Sequence, residues 1–419
     1  MQGGPSLNTI YITGGRPLAG TLAVQGSKNA VLPILAATAA IPGRFVLTNC
    51  PAIRDVTVTR SLMEGLGIQS RESAGLITVD SQGPLQSVPD PGLAGLLRSS
   101  VLLLGALLAR LGEAEIPLPG GCVLGDRPLD LHLKALKGLG VRICLAGDRL
   151  LCKGRPEGGI AILPYPSVGA TENLILAALG ATGPVRIIGA AREPEIRDLA
   201  DFLTACGARI TGAGTPCVRV EPAPLHGATH RILPDRIEAA TWLRAVAATG
   251  GTLTLTELDP AQLRPVLTLL GLAGCEIRES AAGLTLHASD LQAPGTVVTG
   301  PYPAFPTDAQ AILMAALLRA SGATLFRETV FSDRFRHVPA LCALGADIRT
   351  AGDLALVRGV GALHAAEISA TDLRGGAAMV IGALAAEGTS VIRDAWHLDR
   401  GYGKFAERLR ALGADVMTE

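Results

Sequence analysis

Six apolar stretches of this chain begin with a charged or hydrogen-bonding group at the point where a helix would start. These groups are Lys28 and Asn29; Arg98 and Ser99; the run from Ser167 to Asn173; Asp235, Arg236 and Glu238; Asp308; and Asp372 with Arg374. A helix N-terminus carries free N–H groups and partial positive charge. Several such ends brought together, with Lys and Arg added, make a trap for phosphate or carboxylate. Acidic and hydroxyl side chains at these places are ordinarily N-caps, and Ser167 and Asp308 admit that plain reading. Lys28, Arg98 and Arg374 do not, because a cation there opposes the helix dipole and calls for a compensating anion or an escape into solvent. A different chemistry is offered by LPGGCVLGDRPLDLH at 118–132, where Cys122 stands in a Gly-rich turn and Arg127 would favour its thiolate. The other seven of the eight cysteines are scattered singly, without CxxC or Cys/His spacing. They read as small hydrophobes in a reducing compartment, with no disulfide framework, metal site or cofactor implied.

The elements that must position these groups are announced by glycines. Gly67, Gly140, Gly207, Gly274, Gly345 and Gly413 each follow a helix-like stretch and precede a short β-like pair, as in KGLGVRI, CALGADI and RALGADV. A second series, Gly43, Gly112, Gly183, Gly251, Gly322 and Gly388, lies half a period away and ends Ala- and Leu-rich helices such as SKNAVLPILAATAAIPG. The segments after this second series, RFVLTNC and GTLTLTEL among them, alternate or carry β-branched residues. One unit of helix, strand, helix and two strands therefore occurs six times. The period is too long for a familiar solenoid and predicts compact α/β subdomains.

The last copy ends at VMTE, one strand short of the other five. NTIYITGG near the start has no partner of its own, so residues 1 to about 22 are expected to cross over and close the final subdomain. A chain of 419 residues exceeds one hydrophobic core, and six units divide most simply into two lobes of three: 23–231, and 1–22 with 232–419. Lys and Arg number 37 against 37 Asp and Glu, which argues against nucleic acid or an acidic membrane surface as the main partner. The apolar run VLLLGALLA lies between Arg98 and Arg110 and is far too short to span a bilayer. The opening MQGGPSLNT has neither a basic nor an apolar leader segment, so a cytoplasmic location is expected.

Taken together, GSKNAVLPILAA (26–37), LRSSVLLLG (97–105), PGGCVLGDRPLDLH (119–132), PSVGATENLILAA (166–178), AREPEIRDLADFL (191–203), PDRIEAATWL (234–243), FPTDAQA (305–311), RFRHVPALCALGA (334–346) and HLDRGYGKFAERLRALGA (397–414) resemble the UDP-N-acetylglucosamine 1-carboxyvinyltransferases, the MurA-type enolpyruvyl transferases. The resemblance covers essentially the whole chain. It implies a two-lobed inside-out α/β barrel fold with three βαβαββ-type units per lobe and an active site between the lobes. It implies transfer of enolpyruvate from phosphoenolpyruvate to a sugar hydroxyl, with those two small molecules as partners and no cofactor. Cys122 matches the family's loop cysteine, a general acid, and Asp308 the carboxylate that takes the hydroxyl proton. Lys28, Arg127 and Arg400 match the residues holding the donor phosphate, and Arg334 and Arg374 those holding its carboxylate. Asn29 and Arg98 match contacts to the nucleotide sugar. Arg127, Pro128, Leu129, Asp130 and Leu131, the turn of Ser167, Val168 and Gly169, and Val330 match positions along the uridine diphosphate. Asp126, beside Arg127 and Cys122, stands where the family pattern has a small residue. The shikimate enzyme on the same fold lacks the cysteine loop, so GSKNAVLP and PGGC argue against it. A paralogue acting on another acceptor, such as a nucleoside monophosphate, and a silent nucleotide-sugar-binding regulator are the remaining alternatives.

Overall fold

The computed structural model describes residues 8–117, 129–281 and 283–419. They form two compact units, one built from 8–25 with 234–419 and the other from 26–117 with 129–233. The chain passes between them after Gln25 and again after Leu233.

In the unit of 26–233 three helices, Lys28–Ala40, Leu102–Leu111 and Val168–Ala178, pack on one another at the centre. Their sequences are almost wholly apolar, so they are buried all round instead of along one stripe. Close approach sets one residue: a side chain on Gly105 would stand 2.3 Å from the backbone oxygen of Asn173 on the neighbouring helix. Leu102–Leu111 ends at Gly112, whose φ of 76° lets its N–H reach the Leu108 carbonyl at 3.0 Å. Sheets lie outside the helices. Thr229–Arg231 runs parallel to Arg44–Thr48, which pairs antiparallel with Leu76–Asp80 and through it with Gln69–Ser73. Gly159–Ile162, Val185–Ile188, Cys217–Glu221 and Arg209–Thr211 repeat that order. Glu113–Pro117, Arg149–Lys153 and Arg142–Ala146 form a sheet that has three strands among the described residues.

The unit of 234–419 repeats the plan with helices Arg236–Thr249, Gln310–Ala316 and Leu373–Ala385 at its centre. Two of its sheets again consist of a parallel edge strand, a central strand and a hairpin: Thr296–Val298 with Ala323–Arg327, Leu354–Arg358 and Asp347–Ala351, and Leu18–Ala23 with Gly251–Thr256, Gly283–Ala288 and Glu276–Ser280. In the third, Thr9–Thr13 inserts antiparallel between Thr389–Arg393 and Asp415–Thr418, supplying the strand the last copy lacks. Ile10 and Ile12 bury themselves on the helices while Tyr11 points outward and its hydroxyl donates to Glu419 Oε2 at 2.9 Å. The crossing segment is thus divided. Its first strand closes the last repeat, whereas Leu18–Ala23 joins the sheet of the fourth. Each unit is an inside-out α/β arrangement of three repeats, with apolar helices inside and half-exposed sheets outside. Among the described residues no helix is long and apolar enough to cross a membrane.

Candidate active site

The helix starts of the 234–419 unit sort into caps and something else. Asp235 accepts from the N–H groups of Ile237 and Glu238 at 2.8 and 3.0 Å, and Asp372 from those of Arg374 and Gly375, both at 3.0 Å. These are ordinary N-caps. Asp308 sits in a 3-10 turn, Thr307–Ala309, that leads into Gln310–Ala316, and its carboxylate takes another direction. Arg334 Nη2 donates to Asp308 Oδ1 at 2.7 Å and Arg374 Nη2 to Oδ2 at 3.2 Å. The Asp308 side chain is 31% exposed, while those of Arg334 and Arg374 are 3% and 6% exposed. Two buried guanidiniums thus present N–H groups toward one partly open carboxylate.

Each guanidinium is fixed from behind. Arg374 Nη1 donates to the Tyr402 hydroxyl at 3.1 Å, that hydroxyl pairs with Thr241 Oγ1 at 2.9 Å, and the Tyr402 ring lies under the guanidinium. Burial opposes the Arg374 charge, yet Tyr402, Asp308 and Asp235 around it outweigh that and hold the guanidinium above its usual pKa. Arg334 lies over the Phe331 ring and donates to the Thr307 carbonyl at 3.4 Å. Between them, His337 is buried, which pushes its pKa down to about 4 and leaves it neutral at pH 7. Glu328 accepts from the hydroxyls of Thr299 and Thr307 and from the backbone of Val330 and Phe331. Arg400 closes the 3-10 turn Ala395–Arg400. Neither Glu328 nor Tyr402 stood out in the sequence, since neither lies at a helix start.

In the 26–233 unit Lys28 finds the anion that its position demands: its Nζ is 2.7 Å from Asp55 Oδ2, and Asp55 is buried in the first turn of the helix Arg54–Gly65. Asn29 is the next residue on the same first turn and is half-buried. Arg98 opens the 3-10 turn Arg98–Val101 ahead of Leu102–Leu111. Ser167 is a cap, its hydroxyl accepting from the Ala170 N–H at 3.4 Å. Val168 and Gly169 follow it, and Gly169 passes close to the His132 ring. His132 and Asn173 form a buried pair: Asn173 Nδ2 meets His132 Nδ1 at 3.0 Å and donates to the Val101 carbonyl at 2.9 Å, while its Oδ1 accepts from Gly105 N–H at 2.6 Å. Burial, and then the charge of Arg98, push the His132 pKa down to about 4, with Asp130 opposing. Leu129, Asp130 and Leu131 lie at the start of the helix Asp130–Gly138, where Asp130 pairs with Lys134 at 3.3 Å. Sequence reasoning missed Asp55, which looks like any acid in a first helical turn.

Cys122, Arg127 and Pro128 lie outside the described residues. The seven described cysteines are all free thiols. Burial pushes Cys50 and Cys206 up to about 12 and Cys152 and Cys275 up to about 11, which keeps them protonated and inert. Among the described residues no group of three or more His, Cys, Asp and Glu side chains could hold a metal ion.

This arrangement has close parallels. The family described as EPSP synthase (3-phosphoshikimate 1-carboxyvinyltransferase) matches residues 12–409. A protein of Symbiobacterium thermophilum named UDP-N-acetylglucosamine 1-carboxyvinyltransferase 3 is 44% identical over 99% of this chain and 98% of its own. The UDP-N-acetylglucosamine 1-carboxyvinyltransferase of Granulibacter bethesdensis is 44% identical over 98% of this chain and 99% of its own. Among solved structures, the enolpyruvyl transferase NikO from Streptomyces tendae superimposes with a TM-score of 0.89 at 25% identity, covering 99% of this chain and all of that one. EPSP synthase from Acinetobacter baumannii shares the fold, with a TM-score of 0.75 at 20% identity over 98% of this chain and all of its own. The chain belongs to the enolpyruvyl transferase family and, within it, to the UDP-N-acetylglucosamine 1-carboxyvinyltransferases.

Proposed function

We propose that this chain transfers the enolpyruvyl group of phosphoenolpyruvate to the 3-hydroxyl of UDP-N-acetylglucosamine and releases phosphate, the first committed step of peptidoglycan precursor synthesis. The observation that carries this reading is the Asp308 carboxylate held against two buried guanidiniums in a chain 44% identical along its length to proteins of that name. In the first step the sugar oxygen bonds to C2 of the donor while C3 gains a proton, giving a tetrahedral ketal. In the second, C3 loses a proton, the double bond re-forms and the C2–O bond to phosphate breaks. Asp308 accepts the hydroxyl proton and Cys122 supplies the proton to C3. Arg334 and Arg374 hold the donor carboxylate, and Lys28, Arg127 and Arg400 its phosphate. Planar guanidiniums suit this task because they grip a carboxylate through two N–H groups and fix its plane.

Asn29 and Arg98 contact the nucleotide sugar, and the uridine diphosphate follows residues Arg127 to Leu131, then Ser167, Val168, Gly169 and Val330. Holding both substrates in one geometry removes much of the entropic barrier to a two-substrate reaction. The cytoplasm is the proposed location, since unpaired thiols suit a reducing compartment. The test is phosphate release from phosphoenolpyruvate with UDP-N-acetylglucosamine, UMP and shikimate 3-phosphate offered in turn. UDP-N-acetylglucosamine should stand far above the others. A faster rate with another acceptor, or no release with any, overturns the reading.

A further inference from the structure

Glu328 is 4% exposed, yet four donors converge on its two oxygens. Oε1 accepts from the Thr299 hydroxyl at 2.9 Å, from Val330 N–H at 2.8 Å and from Phe331 N–H at 3.2 Å; Oε2 accepts from the Thr307 hydroxyl at 2.9 Å. A carboxylate saturated in this way is rigid, because moving it breaks several charge-assisted bonds at once. Its partners belong to separate pieces of the unit. Thr299 follows the strand Thr296–Val298, Thr307 opens the turn that carries Asp308, and Val330 and Phe331 begin the segment that runs to Arg334. Thr299 is tied in a second way, its carbonyl accepting from the Thr329 hydroxyl at 2.7 Å and its hydroxyl from Thr329 N–H at 3.0 Å. Phe331, in turn, lies under the Arg334 guanidinium.

We propose that Glu328 is a positioning residue that sets the Asp308 turn and the Val330–Arg334 segment in register with each other. Through its Oε2 it holds Thr307, the residue before Asp308; through its Oε1 it holds the backbone of Val330, the proposed nucleotide-sugar contact. The base and the surface that seats its substrate therefore share one anchor. This rests on the enolpyruvyl-transfer reading, and phosphate release by the unaltered chain tests that reading by itself.

Thr307→Val keeps the shape of the side chain but removes the hydroxyl that reaches Glu328, whereas Thr307→Ser keeps the hydroxyl. A displacement of the order of 1 Å in a reacting group costs up to about a hundredfold in rate. Thr307→Val should lower kcat by at least about tenfold while leaving the dissociation constant of UDP-N-acetylglucosamine, measured by calorimetry, within a factor of two of the parent, and Thr307→Ser should restore kcat. Glu328→Gln places an amide N–H₂ where hydroxyl or backbone donors must be accepted, and should lower kcat and weaken nucleotide-sugar binding together. A kcat for Thr307→Val within a factor of two of the parent overturns the proposal, and so does equal impairment of the Val and Ser variants, which would reduce Thr307 to packing.

Discussion

The two units meet the same electrostatic problem at the starts of their central helices in different ways. In the unit of 234–419 two buried guanidiniums face the Asp308 carboxylate, while Asp235 and Asp372 accept from backbone N–H groups as caps. In the unit of 26–233 Lys28 pairs with Asp55, and the most deeply buried polar groups among the described residues are neutral or acidic. Glu172 there is buried, and burial, then Glu195 and Glu193, raise its pKa well above the usual carboxylate value.

The sharpest way to break this contrast is to remove the charge of Asp308 and keep its shape. Asp308→Asn should lower turnover by about 10²–10⁴-fold, the usual contribution of a general base, while nucleotide-sugar binding measured by calorimetry stays near the parent value. A variant with near-normal turnover would make Asp308 a structural bridge between arginines and nothing more.

Acid should then act on both units alike. His132 and His337 have folded-state pKa values of about 4, below the ordinary 6.5, mainly because both are buried. As pH falls below 6.5 the unfolded chain takes up protons that the folded one refuses until about 4. The stability these neutral rings contribute above 6.5 is therefore lost across that window, by about 3 kcal/mol for each histidine. Denaturant titrations at pH 7 and 4.5 on His132→Gln and His337→Gln should each show a flatter pH dependence than the parent. If only one does, the units differ in how they exclude protons as well as in charge.

Smaller effects refine the comparison. Tyr402→Phe removes the acceptor of Arg374 Nη1 and should raise the KM for phosphoenolpyruvate by about tenfold, the worth of one hydrogen bond to a charged group, leaving the KM for the acceptor alone. A shift in the acceptor KM instead would move Arg374 to the sugar side. Smallest are the caps. Ser167→Ala should cost about 0.5 kcal/mol and Asp235→Ala about 1 kcal/mol in equilibrium unfolding, since the Ser167 bond is long and Asp235 holds two N–H groups. A reversed order would show Ser167 doing more than capping in the free chain.

Much of the α/β plan could be read from the chain, because glycines that end helices and apolar runs between them are local signals. Thr9–Thr13 was legible for a different reason: a strand with no neighbour and a last repeat one strand short. What could not be read is which polar residues meet. Asp55 lies 27 positions from Lys28 in a helix turn of ordinary composition, and only packing of the helices Lys28–Ala40 and Arg54–Gly65 brings them together. Glu328 gathers donors from 299, 307, 330 and 331, a grouping with no period. Ser167 and Asp308 look alike on paper, each a small polar residue before an apolar helix. One proved a cap and the other did not, since only Asp308 has two guanidiniums arriving from distant segments.

The double engagement of Asp308 has a consequence for binding. The arginines assigned to the donor are already occupied by a carboxylate, and this one is tethered to the chain, so it competes at an effective concentration that no dilution lowers. On the proposed assignment, an incoming donor carboxylate competes with Asp308 for these N–H groups and binds more weakly than it would to the arginines alone. Donor binding in the proposed reaction would thereby loosen the hold of both arginines on the proposed proton acceptor.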